Sequence, residues 1–100
     1  PRRYVAEMYC DRVAACKIYQ KEAYTQQSAV RYFCKGGGKI LMHPETRKEI
    51  GFLLTMLGEK GEKETAKYIR NIYLKGGSIP EDYREYESLE EIDAAMGVES

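Results

Sequence analysis

The sequence predicts an all-α fold of four to five helices, a long N-terminal core helix followed by a helical hairpin. Three observations carry this. Apolar residues recur three and four positions apart over long runs, the spacing of a helix with one buried stripe. No segment alternates apolar and polar residues as a half-buried strand does. Glycine and proline cluster toward the ends of the periodic runs, at Gly36 to Gly38, Pro44, Gly58, Gly61, Gly76, Gly77, Pro80 and Gly97. At 100 residues the chain is one domain, with a core over residues 1–75 and an acidic tail over 76–100 that carries a short last helix.

From Arg3 to about Glu22 there is no glycine or proline, and Val5, Met8, Tyr9, Val13, Cys16 and Tyr19 repeat at helical spacing. At about 100° per residue, Arg2, Arg3, Lys17, Gln20 and Lys21 fall on one narrow side. The rest is apolar or small, so this helix is expected to be covered over most of its circumference. A short helix through Cys34 comes next, with Thr25 or Ser28 as its cap and the glycine triplet as its end. That triplet has no strand before it and no GK[ST] after it, so it reads as a turn and not as a phosphate loop.

"HPETRKEIGFLLTMLGEKG" opens a third helix with Pro44 in its first turn and Glu45 near the positive end of the dipole. Ile50, Leu53, Leu54 and Leu57 form its buried face, and Gly58 or Gly61 stops it. "EKETAKYIRNIYLKGG" then buries Thr65, Tyr68, Ile69, Ile72 and Tyr73. The short link makes these two helices an antiparallel hairpin. In the tail, Ser88 with Glu91 three residues on is a capping box for a helix from about Leu89 to Met96, closed by Gly97.

Composition narrows the function classes. Lys plus Arg and Asp plus Glu are 16 each, so no net positive charge points to nucleic acid. Cys10, Cys16 and Cys34 are odd in number and form no CxxC pair, which suits buried reduced thiols in a cytoplasmic setting. No run of about 18 apolar residues suggests a membrane span, and the N-terminus lacks a signal-peptide core. Nine tyrosines against two phenylalanines favour half-buried rings on small helices, with an interface as the lesser alternative.

One charge stands out. On the first helix Asp11 falls within a stripe made by Tyr4, Met8, Ala15 and Ile18, opposite the Arg3, Lys17 and Lys21 side, and is expected to point inward. A buried carboxylate costs several kcal/mol unless it is paired, hydrogen-bonded or metal-bound. Its neighbours three and four positions away carry no cation, so its partner is a cation from another segment (Lys39, His43, Arg47 or Arg70), another chain, a metal ion, or water. His43 is the one histidine, which removes any metal site needing two histidines from a single copy. It pairs on paper with Cys34 or Cys10 as a nucleophile site, but its place ahead of a helix suits a cap.

The segments "RRYVAEMYCDRVAACKIY", "MHPETRKEI", "LLTMLGEKGE" and "YIR" resemble the second half of an uncharacterised family of bacterial and phage proteins, some of them labelled catalase. Fuller members carry an upstream "HDLSKFS"-like segment and a His-rich segment. That order is similar to the HD-type metal-dependent phosphohydrolases, and the resemblance implies an HD-like half-domain here. In it, Asp11 matches the last carboxylate ligand of the metal. This chain has neither the HD pair nor the His-rich segment, so the resemblance implies a C-terminal piece with no cofactor of its own. A divalent metal enters only in a complete assembly.

The expected function is a non-catalytic or catalytically incomplete helical domain acting by self-association or partner binding, as a homodimer or on a separate N-terminal half. The alternative is a subunit of an HD-type phosphohydrolase, with Asp11 as a metal ligand and the histidines supplied elsewhere; His43 is the other weak catalytic candidate. Membrane and nucleic acid are not expected partners.

Overall fold

A computed structural model describes residues 2–36 and 42–97. The chain is a compact all-α fold, 74% helical and without strands among the described residues. Its helices are α1 (Arg2–Gln20), α2 (Ser28–Cys34), α3 (Pro44–Tyr68) and α4 (Leu89–Met96). A 3₁₀ turn (Lys21–Ala23) follows α1, and a π-helical turn (Ile69–Tyr73) extends α3. Gly37, Gly38 and Lys39, which bear on the expected turn and on one expected partner of Asp11, lie outside the described residues.

α1 buries Val5, Tyr9 and Val13, one stripe of the expected set, and leaves its opposite side open. Full covering is thus corrected: the chain supplies packing to one side only, from α2 and α3. The N-terminus of α1 is fastened by Arg2, whose guanidinium donates to the carbonyls of Tyr73 (2.7 Å) and Gly77 (2.6 Å). The same group lies 4.6 Å from the centroid of the Tyr73 ring. Arg2 therefore does not join the solvent-facing cations. It joins the Gly76 amide on the Tyr73 carbonyl and reaches the Gly77 carbonyl beyond the π turn, tying the start of α1 to the end of the hairpin.

α2 begins without a side-chain cap. Thr25 and Ser28 act in the turn before it: the Thr25 amide donates to Ser28 Oγ (2.9 Å) and the Gln27 amide to Thr25 Oγ1 (3.2 Å). His43 is the N-cap of α3, its Nδ1 accepting from the Glu45 amide at 3.2 Å. Ile50, Leu53, Leu54 and Leu57 are fully buried. Each such side chain stabilises the fold by roughly 1.5–3 kcal/mol relative to exposure.

The hairpin turns at Gly61 and not at Gly58. Gly61 has φ 89° and ψ 171°, a backbone region that side-chain-bearing residues all but avoid. α3 folds back there into arms 44–60 and 62–68, the second continuing through the π turn. Their antiparallel course is fixed by Phe52 packing edge-on to Tyr68, with centroids 5.8 Å apart, and by the Tyr73 hydroxyl donating to Glu49. Breaking the helix leaves carbonyls at the end of the first arm without amide partners. That of Gly58 accepts from the side-chain amides of Gln26 (3.0 Å) and Gln27 (2.9 Å). Of the residues expected inside the second arm, Thr65, Ile69 and Tyr73 are buried, Tyr68 is half-buried, and Ile72 is exposed because the π turn rotates it outward.

The tail is laid along α3 and α2. Tyr83 packs edge-on to Phe52 (centroids 5.5 Å apart) and reaches Gly51, while Met96 reaches Gly58. α4 caps as expected, with Ser88 Oγ accepting from the Glu91 amide at 3.2 Å and Gly97 left-handed. Ile92 is fully buried. Arg31 pairs with Asp93, and Arg47 grips Glu85 with two hydrogen bonds of 3.0 and 2.6 Å.

Candidate functional site

The side of α1 turned away from the core is the feature of the surface that the fold does not explain. Tyr19 is 87% exposed, Ile18 70%, Tyr32 58% and Tyr4 54%. Single exposed apolar residues are ordinary, but Ile18 and Tyr19 at the end of α1 lie beside Tyr32 of α2, while Tyr4 stands apart in the first turn of α1. Tyr19 and Tyr32 line a groove of about 370 Å³ between α1 and α2, together with Arg12, Ala15, Cys16 and Gln20. Tyr32 comes from α2, so the face depends on α2 crossing the C-terminal half of α1.

Asp11 lies on this open side and is exposed, which corrects its expected inward orientation. The stripe of Tyr4, Met8, Asp11, Ala15 and Ile18 was read as the core face. The core instead chose the neighbouring stripe centred on Tyr9, about 160° around the axis from Asp11. Both stripes hold apolar residues, and only packing against α3 distinguishes them. Asp11 is solvated, so it needs no buried cation. Arg47, one expected partner, is held by Glu85 instead.

Arg12 borders the groove. Its guanidinium lies 5.5 Å from the centroid of the Phe33 ring, and burial draws its pKa below the usual guanidinium value. The charged flank of α1 carries two further ion pairs, Arg3 with Glu7 (3.7 Å) and Lys17 with Glu62 (2.5 Å). The Lys17 ammonium also sits 5.6 Å from the Tyr24 ring centroid.

The donor set does not fit a metal site. Asp11 is on the open face of α1, His43 caps α3, and no group of three or more His, Cys, Asp or Glu side chains converges among the described residues. The cysteines are spread out as well: Cys10 is exposed, correcting its expected burial, while Cys16 and Cys34 are half-buried. Cys34 donates to the carbonyl of Tyr86 (3.5 Å), and burial raises the Cys16 thiol pKa. No helix among the described residues is long and apolar enough to cross a membrane.

The open face was half legible in the sequence. Tyr4, Ala15 and Ile18 were placed on one stripe, but Tyr32 belongs to another helix and no periodicity within α1 reveals it. No family model, curated protein or solved structure matches this chain. The fold and the face define its class: a small all-α domain with one uncovered apolar helix side.

Proposed function

We propose that this chain is a non-catalytic helical domain that works by self-association or by binding another polypeptide through the open side of α1. The observation that carries the reading is the exposure of Ile18, Tyr19 and Tyr32 at one end of α1, with Tyr19 and Tyr32 lining one apolar groove. Such surface is costly to leave in water and is characteristic of contact regions, where tyrosine is enriched. The test is a photo-crosslinking residue at position 19, with one at the exposed Lys60 as control, in cells producing the chain and in purified protein. Adducts from position 19 above the control support the reading. Equal adducts from both positions overturn it.

A second reading keeps Asp11 as a metal ligand in an HD-type phosphohydrolase whose histidines reside on another polypeptide. It is favoured by the position of Asp11 in the middle of the uncovered stripe, where a docked chain would surround it. On this reading the isolated chain binds Mn²⁺ weakly, and Asp11→Asn removes metal binding only in the assembled complex. Unchanged Mn²⁺ titration heats for Asp11→Asn in that complex would sink it.

A further inference from the structure

We propose that the tail, residues 78–97, is a strap that opens from the rest of the fold as one unit, hinged at Ser78 to Pro80, with two arginine clamps setting how often it opens. The strap lies on α2 and α3 and is independent of what binds the open side of α1.

The hinge begins where the backbone is last tied down. The Gly77 amide donates to the Ile72 carbonyl (2.9 Å), and the Gly77 carbonyl accepts from Arg2 (2.6 Å). A Cβ at Gly77 would lie 2.4 Å from Ile72 Cγ2, so the chain is pressed against the π turn there. Ser78 and Pro80, which follow, are exposed and belong to no helix. Rotation about this link moves the tail without disturbing the hairpin.

Beyond the link, the backbone of the tail is self-sufficient. Among the described residues, no backbone-to-backbone hydrogen bond joins residues 78–97 to residues 2–77. The Tyr83 amide donates within the tail, to the Pro80 carbonyl at 3.1 Å, and α4 is closed at its two ends by its own Ser88 and Gly97. The Tyr86 carbonyl accepts from Cys34 Sγ at 3.5 Å, and a thiol is a weak donor. Departure of the tail therefore strands no backbone amide, whereas peeling away part of α3 would break the bonds that run along it. A segment of this kind opens apart from the rest of the fold, as a minor state of the native protein.

Side chains hold the strap closed. Tyr83, Ile92 and Met96 are its apolar anchors, the first and last of them seated in the notches at Gly51 and Gly58. Beneath it lie Val30, Phe33, Cys34 and Thr55. Two ion pairs complete the attachment: Arg47 of α3 with Glu85 ahead of α4, and Arg31 of α2 with Asp93 inside it. Both pairs are partly exposed, so dissolved salt screens them, while the apolar anchors are not weakened in that way. Opening uncovers Val30, Phe33 and the Gly51 notch, an apolar surface that the closed chain keeps from water.

Cys34 supplies the reporter, because Tyr86 lies over it and Cys10 on α1 is exposed. The test labels the thiols of the full chain and follows each cysteine by mass spectrometry, beside amide hydrogen exchange of α3 and α4 in low urea. The open population read from Cys34 should match that from the Ile92 amide, exceed the one from the Leu53 and Leu54 amides by at least about tenfold, and depend less steeply on urea. About 0.5 M NaCl should raise Cys34 labelling about two- to fivefold, and the rise should vanish when Arg31→Gln and Arg47→Gln are combined. Cys34 and α4 opening only as the α3 amides do, at every urea concentration, overturns the strap. So does Cys34 labelling as fast as Cys10, since the tail then covers nothing. Ile92 exchanging through an opening that leaves Cys34 protected overturns the single unit, and an equal salt response in the double variant overturns the clamps.

Discussion

The hydroxyl of Tyr83 fills the space in which a side chain at Gly51 would begin: a Cβ there would lie 2.6 Å from the phenolic oxygen and 3.3 Å from Phe33. Seven residues on, on the same face of α3, a Cβ at Gly58 would lie 2.7 Å from the Met96 sulfur. The two glycines cut notches into a helix that propensity alone would fill with larger residues, and the tail occupies both. Gly51→Ala should therefore destabilise the chain by about 1–2 kcal/mol, since a rigid ring must move and the gain in helix propensity offsets only part. Gly58→Ala should cost less, because the flexible Met96 yields and a 3.2 Å approach to Val30 Cγ1 is the contact left to relieve. Urea denaturation of the two variants measures the difference, and equal costs would contradict the distinction.

Gly61 turns the hairpin with φ 89° and ψ 171°. A Cβ there would meet Gln26 Oε1 at 3.2 Å, so backbone strain is the main obstacle to substitution. Gly61→Ala should cost about 1–3 kcal/mol, measured as a shift of the urea midpoint. The alternative sequence reading, a stop at Gly58, would leave this substitution harmless.

The buried tyrosines make stability fall in alkali. Burial pushes the Tyr83 hydroxyl up from 10.0 to about 12, more than its hydrogen bond with Thr55 draws it down. Burial raises Tyr9 and Tyr73 in the same direction, aided at Tyr73 by the Glu49 carboxylate. A group that holds its proton more tightly when folded stabilises fully below the unfolded value of 10.0, and its contribution is lost as pH rises through about 12. Urea midpoints should hold steady up to pH 10.0 and drop steeply above it, and Tyr83→Phe should drop less steeply. Tyrosinate absorbance provides the independent titration.

Asp11→Asn should leave stability within about 0.5 kcal/mol of the parent chain, as for a solvated surface residue. Burial against a cation would instead make this change cost several kcal/mol. Thermal or urea unfolding of the single variant separates the two, and a large loss would mean that Asp11 is buried in solution, by a second copy or otherwise.

Local chemistry was legible where the signal resides in a few neighbouring residues. Ser88 and Glu91 placed the start of α4 and Gly97 its end, and Pro44 with His43 marked the start of α3. The periodicity of Ile50, Leu53, Leu54 and Leu57 gave the central buried face without ambiguity, because a single apolar stripe ran through that helix. On α1 two apolar stripes compete, one centred on Tyr9 and one on Asp11, and nothing in the helix itself ranks them. The candidate face suffered for the same reason, since half of it was assigned to the core.

By itself, then, the sequence determined the class of fold, the bounds of its helices to within a few residues, and the antiparallel hairpin. These follow from hydrogen bonding, capping and periodicity, which act over a few residues along the chain. Only the tertiary structure decided which side of α1 is buried, that Arg2 closes the end of the hairpin, and that Tyr83 and Met96 enter the notches at Gly51 and Gly58. Each of those is a contact between residues far apart in sequence, chosen by shape and by the burial of area, and no local pattern encodes it. The outward place of Asp11 is the plainest instance: helix geometry fixed its neighbours, and the packing of α2 and α3 on the other side fixed its exposure.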